Sequence, residues 1–275
     1  MTRLLFIGDI VGRPGRELIR RGLEAIVAAH RIDLVIANVE NAAAGFGVTP
    51  DIAEDLLERG IHVMTGGNHT WDKKEILPYI DGQPRLLRPA NFPPGAPGRG
   101  RYVARAGNGV AVGVVNVMGR IFMTPIDDPF RVVLEEIEAV KADASVVFVD
   151  FHAEATSEKV AMGWHLDGVA TAVVGTHTHV QTADERILPG GTAYITDVGM
   201  TGPHDSVIGV VRHAVLQRFQ TALPQRFETA TENPRLNGVI VAANEATGRA
   251  ASIERLSLSS TDIEALVAQP SSTTG

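Results

Sequence analysis

Short apolar, strand-like runs alternate with helical patterns along most of this chain, and several of the runs end on a side chain that can bind a metal. Residues 3–8 form the first run, which ends at Asp9, and residues 15–30 follow with apolar side chains at helical spacing. The carboxyl ends of strands in an open α/β sheet line the crevice where ligands bind. The alternation therefore predicts an α/β fold whose polar strand ends meet in one site.

Eight polar side chains follow five of these runs, and each can bind a metal or transfer a proton. One polar strand end is ordinarily a turn or capping residue, whereas five such ends together indicate a site. The residues are Asp9, Glu40, Asn41, Asn68, His69, His152, His177 and His179.

The mixture of imidazole, carboxylate and amide oxygen in this set favours Fe, Mn, Zn or Ni over Mg or Ca. The candidates outnumber what one ion needs, and two ions that share a carboxylate would use them all. A pair of ions about 3.5–4 Å apart is a common device for in-line displacement at phosphorus. We therefore expect two divalent or trivalent first-row transition ions. Fe or Mn is favoured, and Zn is an alternative.

Hairpin signals and the continuity of the pattern define the expected architecture. Gly107-Asn108-Gly109 lies between two strand-like runs and predicts a hairpin, and residues 237–242 and 250–256 predict a later one. Hairpins together with βα units favour two mixed sheets packed together and covered by helices. No repeat or long linker divides the sequence, so we expect a single domain over residues 1–268. The Ser/Thr-rich segment 269–275 is expected to be a frayed tail.

Composition and charge limit the partners. The absence of cysteine excludes disulfides, zinc–thiolate sites and thiol catalysis. A net charge of −7 without a basic run disfavours long nucleic acid, although bound cations would still allow a small anionic substrate. The apolar run at residues 3–8 is too short for a signal peptide or a membrane span, so the cytoplasm is the expected location and no membrane partner is expected. The oligomeric state stays open, a homo-oligomer included.

Four motifs in a fixed order resemble those of the calcineurin-like metallophosphoesterases. They are Gly8-Asp9, Gly67-Asn68-His69, a lone His152 after a strand, and Gly175-Thr176-His177-Thr178-His179. The resemblance spans residues 9–179. Gly-Asn-His followed far downstream by Gly-x-His-x-His is specific, whereas Gly-Asp alone carries no weight.

Two departures from the broader family resemble its bacterial 2′,3′-cyclic-nucleotide 2′-phosphodiesterase branch. Val11 stands where many members have a histidine two residues after the first aspartate. Glu40 and Asn41 stand where those members have a bridging aspartate. The segments at residues 152–159 and 202–207 are similar to the same branch.

This resemblance implies an αββα four-layer sandwich and a role for each candidate. It implies that Glu40 bridges two metals and that His69 donates a proton to the leaving group. It also implies attack by a metal-bound hydroxide on a small phosphodiester, foremost a 2′,3′-cyclic nucleotide. The first metal would bind Asp9, Glu40, Asn41 and His179. The second metal would bind Glu40, Asn68, His152 and His177.

Other functions remain as alternatives. A phosphomonoesterase and a phospholipid diesterase would use the same centre. A metal-holding regulatory or RNA-associated protein belongs to a different class, but a structural metal site is closed and needs no spare histidine such as His69.

Several neighbouring residues have two interpretations. Glu154 and Asp197 would orient metal-binding histidines, although helix capping competes for Glu154. Asp72 and Glu75 predict a capping pair for a helix. Residues 203–206 would belong to a substrate loop or cap the helix that follows.

Overall fold

The computed structural model describes residues 1–268, and the tail expected at residues 269–275 lies outside the described residues. Two β-sheets face each other, and helices cover their outer faces. The strands are β1 (Thr2–Ile7), β2 (Asp9–Ile10), β3 (Leu34–Asn38), β4 (Val63–Thr65), β5 (Arg101–Arg105), β6 (Ala111–Met118), β7 (Val146–His152), β8 (Ala172–Thr176), β9 (Arg186–Ile187), β10 (Ala193–Ile195), β11 (Met200–Pro203), β12 (Pro234–Asn244) and β13 (Arg249–Ser259). The helices are α1 (Gly12–His30), α2 (Pro50–Glu58), α3 (Leu77–Ile80), α4 (Pro129–Lys141), α5 (Thr156–His165), α6 (Arg212–Thr221) and α7 (Ser260–Ala268).

Both sheets are mixed, as the hairpin and βα signals predict. The seven-stranded sheet has the order β2-β11-β12-β1-β3-β4, with β13 paired to β12, and the six-stranded sheet has the order β5-β6-β7-β8-β10-β9. β1, β3 and β4 are mutually parallel, as are β6, β7, β8 and β10. The β5–β6 and β12–β13 pairs are antiparallel hairpins.

Three apolar clusters define four layers. The cluster between the sheets contains Leu4, Ile36 and the stacked rings of Phe6 and Phe148, whose centroids are 5.3 Å apart. A second cluster packs α1, α2 and α7 onto the outer face of the seven-stranded sheet. The third packs α4 and α5 onto the outer face of the other sheet. The fold is therefore the αββα sandwich that the resemblance implies.

Strand alternation carries polar side chains into the space between the sheets. In β7, Val146 and Phe148 face the partner sheet, whereas Val147 faces the helices. Because side chains alternate with a period of two, Asp150 and His152 continue the inner row at the carboxyl end of the strand. β3, β4 and β8 end their inner rows in the same way, on Asn38, Thr65 and Thr176.

Helix starts agree only in part with the sequence pattern. Asp128, directly before Pro129, caps α4, since its carboxylate accepts from the backbone N–H of Phe130 at 3.2 Å. The capping pair predicted at Asp72 and Glu75 is wrong: residues 74–76 form a 3₁₀ turn whose N-cap position is Lys73, with no side-chain cap. The carboxylate of Asp72 instead contacts His69 Nδ1 at 2.8 Å.

The segment at residues 203–206 does not cap a helix. The Ser206 hydroxyl donates to the Pro203 carbonyl and accepts from the Gly209 N–H, which closes a tight turn. α6 begins only at Arg212. Within residues 1–268, no helix is both long and apolar enough to cross a bilayer.

Candidate metal centre

The carboxyl ends of five strands, three from one sheet and two from the other, meet at one edge of the sandwich. β1, β3 and β4 of one sheet lead into Asp9, the Glu40 and Asn41 pair, and the Asn68 and His69 pair. In the other sheet, β7 ends on His152, and β8 leads into His177 and His179. Asp9, Glu40, Asn41 and His152 are buried. The sandwich therefore brings all eight predicted residues into one neighbourhood, from positions 9 to 179.

Three potential ligand atoms surround the Nε2 atom of His152. Asn68 Oδ1 lies 2.9 Å from it, His177 Nδ1 lies 3.0 Å from it, and Glu40 Oε1 lies 3.0 Å from it. The Glu40 contact is not aligned as a hydrogen bond, so Oε1 is left without a donor in residues 1–268. Adjacent ligands around one ion at bond lengths of about 2.1 Å are about 3 Å apart. These four atoms therefore have the spacing of a metal coordination shell.

His152, His177 and His179 each have one ring nitrogen that contacts a group outside this cluster of ligand atoms. His152 Nδ1 lies 2.9 Å from the Thr176 hydroxyl, and His179 Nδ1 lies 2.8 Å from the Ile208 carbonyl. His177 Nε2 lies 3.1 Å from the Glu154 carboxylate. An acceptor on one nitrogen holds the proton there and directs the other lone pair to a metal. Glu154 thus contacts a histidine, and the N-cap of the next helix is Ala155.

A second group of atoms lies around Asp9. His179 Nε2 is 4.0 Å from Asp9 Oδ1, and the backbone N–H of His177 donates to Asp9 Oδ2 at 3.3 Å. Asn41 uses its amide N–H to bind the Gly45 carbonyl at 2.9 Å, which directs Oδ1 elsewhere. Asp9 Oδ1 and Asn41 Oδ1 are both buried with no donor in the described part of the chain.

Buried acceptors without donors are costly, and a bound cation satisfies them. Three such atoms belong to predicted ligands: Asp9 Oδ1, Glu40 Oε1 and Asn41 Oδ1. Glu40, His152 and His177 also present ligand atoms within 4.8 Å of one another. The donor set therefore fits metal ions.

The backbone around the histidines is fixed in an uncommon conformation. His177 and His179 have φ values of 100° and 66°, in the region that favours glycine. Such residues are held by their surroundings and cluster at functional sites. Gly67 has a different reason to be glycine, because a Cβ there would overlap both Glu40 Oε2 and the His152 ring.

Charge in the centre is balanced between Glu40 and His152. Burial disfavours both charged forms, but their mutual attraction prevails, so the pKa of Glu40 is lowered to about 2 and the pKa of His152 is raised to about 9. Burial and then the positive charge of His152 lower the pKa of His177 to about 3. Without a metal, a protonated His152 thus balances the negative charge of Glu40.

His69 faces the cavity rather than the cluster of ligand atoms. Its backbone N–H donates to Glu40 Oε2 at 2.9 Å, and its Nδ1 is engaged by Asp72. The rings of Phe46 and His69 pack in a T-shaped arrangement, with their centroids 5.0 Å apart. These contacts fix the ring and leave Nε2 as the nitrogen available to a bound molecule.

A buried polar layer beneath the centre was missed at the sequence level. Asp150 accepts hydrogen bonds from Thr176 at 2.7 Å, from Thr65 at 2.5 Å and from Asn38 at 3.2 Å. Burial raises the pKa of Asp150 to about 6. The available signal was the spacing of Asp150 and His152, two residues apart in a strand and therefore on one face.

Asp197 acts on the histidine loop through Thr178. Its carboxylate accepts from the Thr178 N–H at 3.1 Å and from the Thr178 hydroxyl at 2.8 Å, between His177 and His179. Lys159 forms an ion pair with the same carboxylate at 2.6 Å, and both side chains are 1% exposed. Asp197 therefore supports the histidine loop by binding the backbone N–H and the hydroxyl of Thr178, rather than by contact with a histidine ring.

A cavity of about 580 Å³ opens beside the centre. Its inner end includes Glu40, Asn41, His69, His177 and His179. Its outer wall includes apolar and aromatic side chains of α6 and of residues 227–229. The ligand atoms thus lie at the base of a pocket large enough for a small organic substrate.

Residues 5–256 match the family described as YmdB-like proteins. The chain belongs to this family. It is 51% identical over 254 residues to the 2′,3′-cyclic-nucleotide 2′-phosphodiesterase of Bacillus subtilis strain 168, and the match covers 92% of this chain and 96% of that one.

Two solved structures share the fold of this YmdB-like chain. A crystal structure of a phosphatase from Mycoplasma pneumoniae has a TM-score of 0.87 at 36% identity and covers 94% of this chain and 93% of that one. A hypothetical protein from Thermus thermophilus has a TM-score of 0.86 at 42% identity and covers 94% of this chain and 99% of that one. These relatives confirm the metallophosphoesterase resemblance. The chain is a hydrolase that acts on phosphate esters.

Proposed function

We propose that this YmdB-like protein hydrolyses small phosphodiesters, foremost 2′,3′-cyclic nucleotides, at a centre of two metal ions. The observation that carries the proposal is the set of three buried acceptor oxygens without donors in residues 1–268, on Asp9, Glu40 and Asn41, beside the clustered ligand atoms of Glu40, His152 and His177. The name of the Bacillus subtilis relative supports the substrate class.

The ligands divide into two sets that share Glu40. Asn68, His152 and His177 would hold one ion with Glu40 Oε1, since their ligand atoms already surround His152 Nε2. Asp9, Asn41 and His179 would hold the other ion together with Glu40. Asp9 Oδ1 and Asn41 Oδ1 are buried without donors in residues 1–268, and His179 Nε2 lies 4.0 Å from Asp9 Oδ1. The imidazole, carboxylate and amide donors favour Fe or Mn, with Zn as an alternative.

The two ions, when bound, lower the pKa of water and neutralise charge on the phosphate. The chain supplies the proton for the leaving oxygen. His69 Nε2 faces the cavity, and the Asp72 carboxylate on Nδ1 fixes the orientation of the ring. In a 2′,3′-cyclic nucleotide, His69 would protonate the 2′ oxygen as the bond from phosphorus to that oxygen breaks. The 3′ ester stays intact, so the product is a 3′-nucleotide.

The competing activities within the same chemistry are a phosphomonoesterase and a phospholipid diesterase. The acidic rim residue Glu154 disfavours a monoester dianion near His177, because like charges repel. A structural or regulatory metal site would need no cavity-facing His69. These alternatives are distinguished by product analysis.

The test is a hydrolysis panel with protein that has been stripped of metal and reloaded with Fe or Mn. The substrates are 2′,3′-cyclic AMP, 3′,5′-cyclic AMP, a nitrophenyl monoester and a glycerophosphodiester. We expect 2′,3′-cyclic AMP to have the highest kcat/KM and 3′-AMP to be its product. Release of 2′-AMP, or a higher kcat/KM for the monoester or the glycerophosphodiester, would overturn the proposal.

A further inference from the structure

The outer wall of the cavity is larger and more apolar than a phosphodiester group requires. It extends from the histidine loop to α6 and to residues 227–229. The proposed metal ions would bind the phosphate group at the inner end of the cavity. The outer wall therefore faces the organic group that is esterified to the phosphate.

Aromatic rings provide flat surfaces on this wall. Phe227 is half-buried, and the guanidinium of Arg218 lies 5.4 Å from the centre of its ring. Phe219, one residue further along α6, also lines the cavity and is 81% exposed. An exposed phenylalanine at a cavity mouth is costly in water, and a planar ligand covers it.

Arg218 has a position unlike that of a phosphate-binding arginine. Among the described residues that line the cavity, it is the only arginine or lysine. It lies over an aromatic ring at the outer end, whereas the ligand histidines lie at the inner end. A guanidinium over a phenylalanine ring is a common platform for nucleobases, since every base has a π face.

We infer that Phe219, Phe227 and Arg218 form a nucleobase subsite, which takes the base of a nucleotide whose phosphate lies over the metal centre. This inference rests on the proposed function and deepens it by naming the part of the substrate that provides selectivity. Stacking accepts any base, so the subsite does not read the sequence of a polymer. It favours purines over pyrimidines because a purine has the larger ring area.

The test compares two cyclic phosphates that differ only in the base. One is 2′,3′-cyclic AMP, and the other is methyl ribofuranoside 2′,3′-cyclic phosphate, in which a methoxy group replaces adenine. We expect wild-type protein to favour the nucleotide in KM. Phe227→Ala and Phe219→Ala should each reduce that preference about tenfold, whereas Phe227→Tyr, which keeps a ring, should retain it.

Phe122→Ala is the matched control, because Phe122 is 90% exposed and does not line the cavity. It should leave the preference unchanged. An equal KM for the two substrates in wild-type protein, or an unchanged preference in both cavity variants, would overturn the subsite. A preference that falls equally in Phe122→Ala would overturn it as well.

Failure of the proposed function has a separate signature, which is the absence of turnover of both cyclic phosphates by metal-loaded wild-type protein. The subsite is then tested by calorimetric binding of 3′-AMP and of ribose 3-phosphate. Tighter binding of 3′-AMP that is lost in Phe227→Ala supports the subsite, and equal affinities overturn it.

Discussion

His152 Nδ1 lies 2.9 Å from the hydroxyl of Thr176, and that hydroxyl donates to Asp150 at 2.7 Å. Because the hydroxyl hydrogen is directed to Asp150, the oxygen accepts from Nδ1 and leaves Nε2 facing Glu40. The orientation of a proposed metal ligand thus depends on two buried residues that never reach the cavity.

Thr176→Val removes this acceptor while keeping the shape of the side chain. We expect metal affinity to fall about 10–100-fold, as for other outer partners of ligating histidines. Thr176→Ser keeps the hydroxyl and is the matched control. Calorimetric metal titration measures the effect, and an affinity in Thr176→Val equal to that of wild type would contradict the orienting role.

The Glu40–His152 pair predicts a pH-dependent stability for the metal-free protein. The pKa of His152 is raised to about 9, so its stabilising contribution is present below about 6.5 and is lost as pH rises through 9. The pKa of Glu40 is lowered to about 2, so its contribution is present above about 4.5 and is lost as pH falls through 2.

The measurement is urea unfolding of chelated wild type and Glu40→Gln across a pH series. The difference in unfolding free energy should be largest between about pH 4.5 and 6.5 and should shrink as pH rises through 9. A difference that stays constant from about pH 6 to 10 would show that the pair is not charged in the metal-free protein.

Lys159 and Asp197 form a buried ion pair at 2.6 Å that supports the histidine loop. Lys159→Met leaves the Asp197 carboxylate buried without its cation, which should cost about 3–5 kcal/mol in the free energy of unfolding. Arg131→Met, which breaks an exposed pair with Glu135, should cost less than about 1 kcal/mol. Denaturant unfolding compares the two, and equal costs would rule out a special role for the buried pair.

His69→Ala should slow hydrolysis of 2′,3′-cyclic AMP by about 10²–10⁴-fold while leaving both metals bound, because the ring is assigned to proton transfer. A nitrophenyl diester has an acidic leaving group and should be slowed much less. Steady-state kinetics together with metal analysis check this. Loss of metal, or equal slowing of both substrates, would show that His69 has another role.

Much of the fold could be predicted because the spacing of apolar residues along the chain indicates which side chains are buried. The inner row of β7, with Val146, Phe148, Asp150 and His152 on one face, follows from alternation alone. The five polar strand ends were likewise sufficient to predict that the candidate residues lie in one site. The roles assigned to those residues came from the family resemblance and stay predictions.

Tertiary contacts explain what the sequence could not predict. Asp72 fits the capping pattern, but the nearby His69 imidazole takes its carboxylate. The subsite rings of Phe219 and Phe227 belong to no motif and meet the centre only through the folded position of α6. Local patterns carry no information about such partners.

The most direct test of the binuclear centre is the number of metal ions bound per chain. Metal-free protein is titrated with Fe(II) or Mn(II), and bound metal is counted by elemental analysis alongside recovery of 2′,3′-cyclic AMP hydrolysis. Two ions per chain at saturation, with activity that returns only as the second ion binds, is the predicted result. Saturation at one ion, or full activity in the metal-free protein, would contradict it.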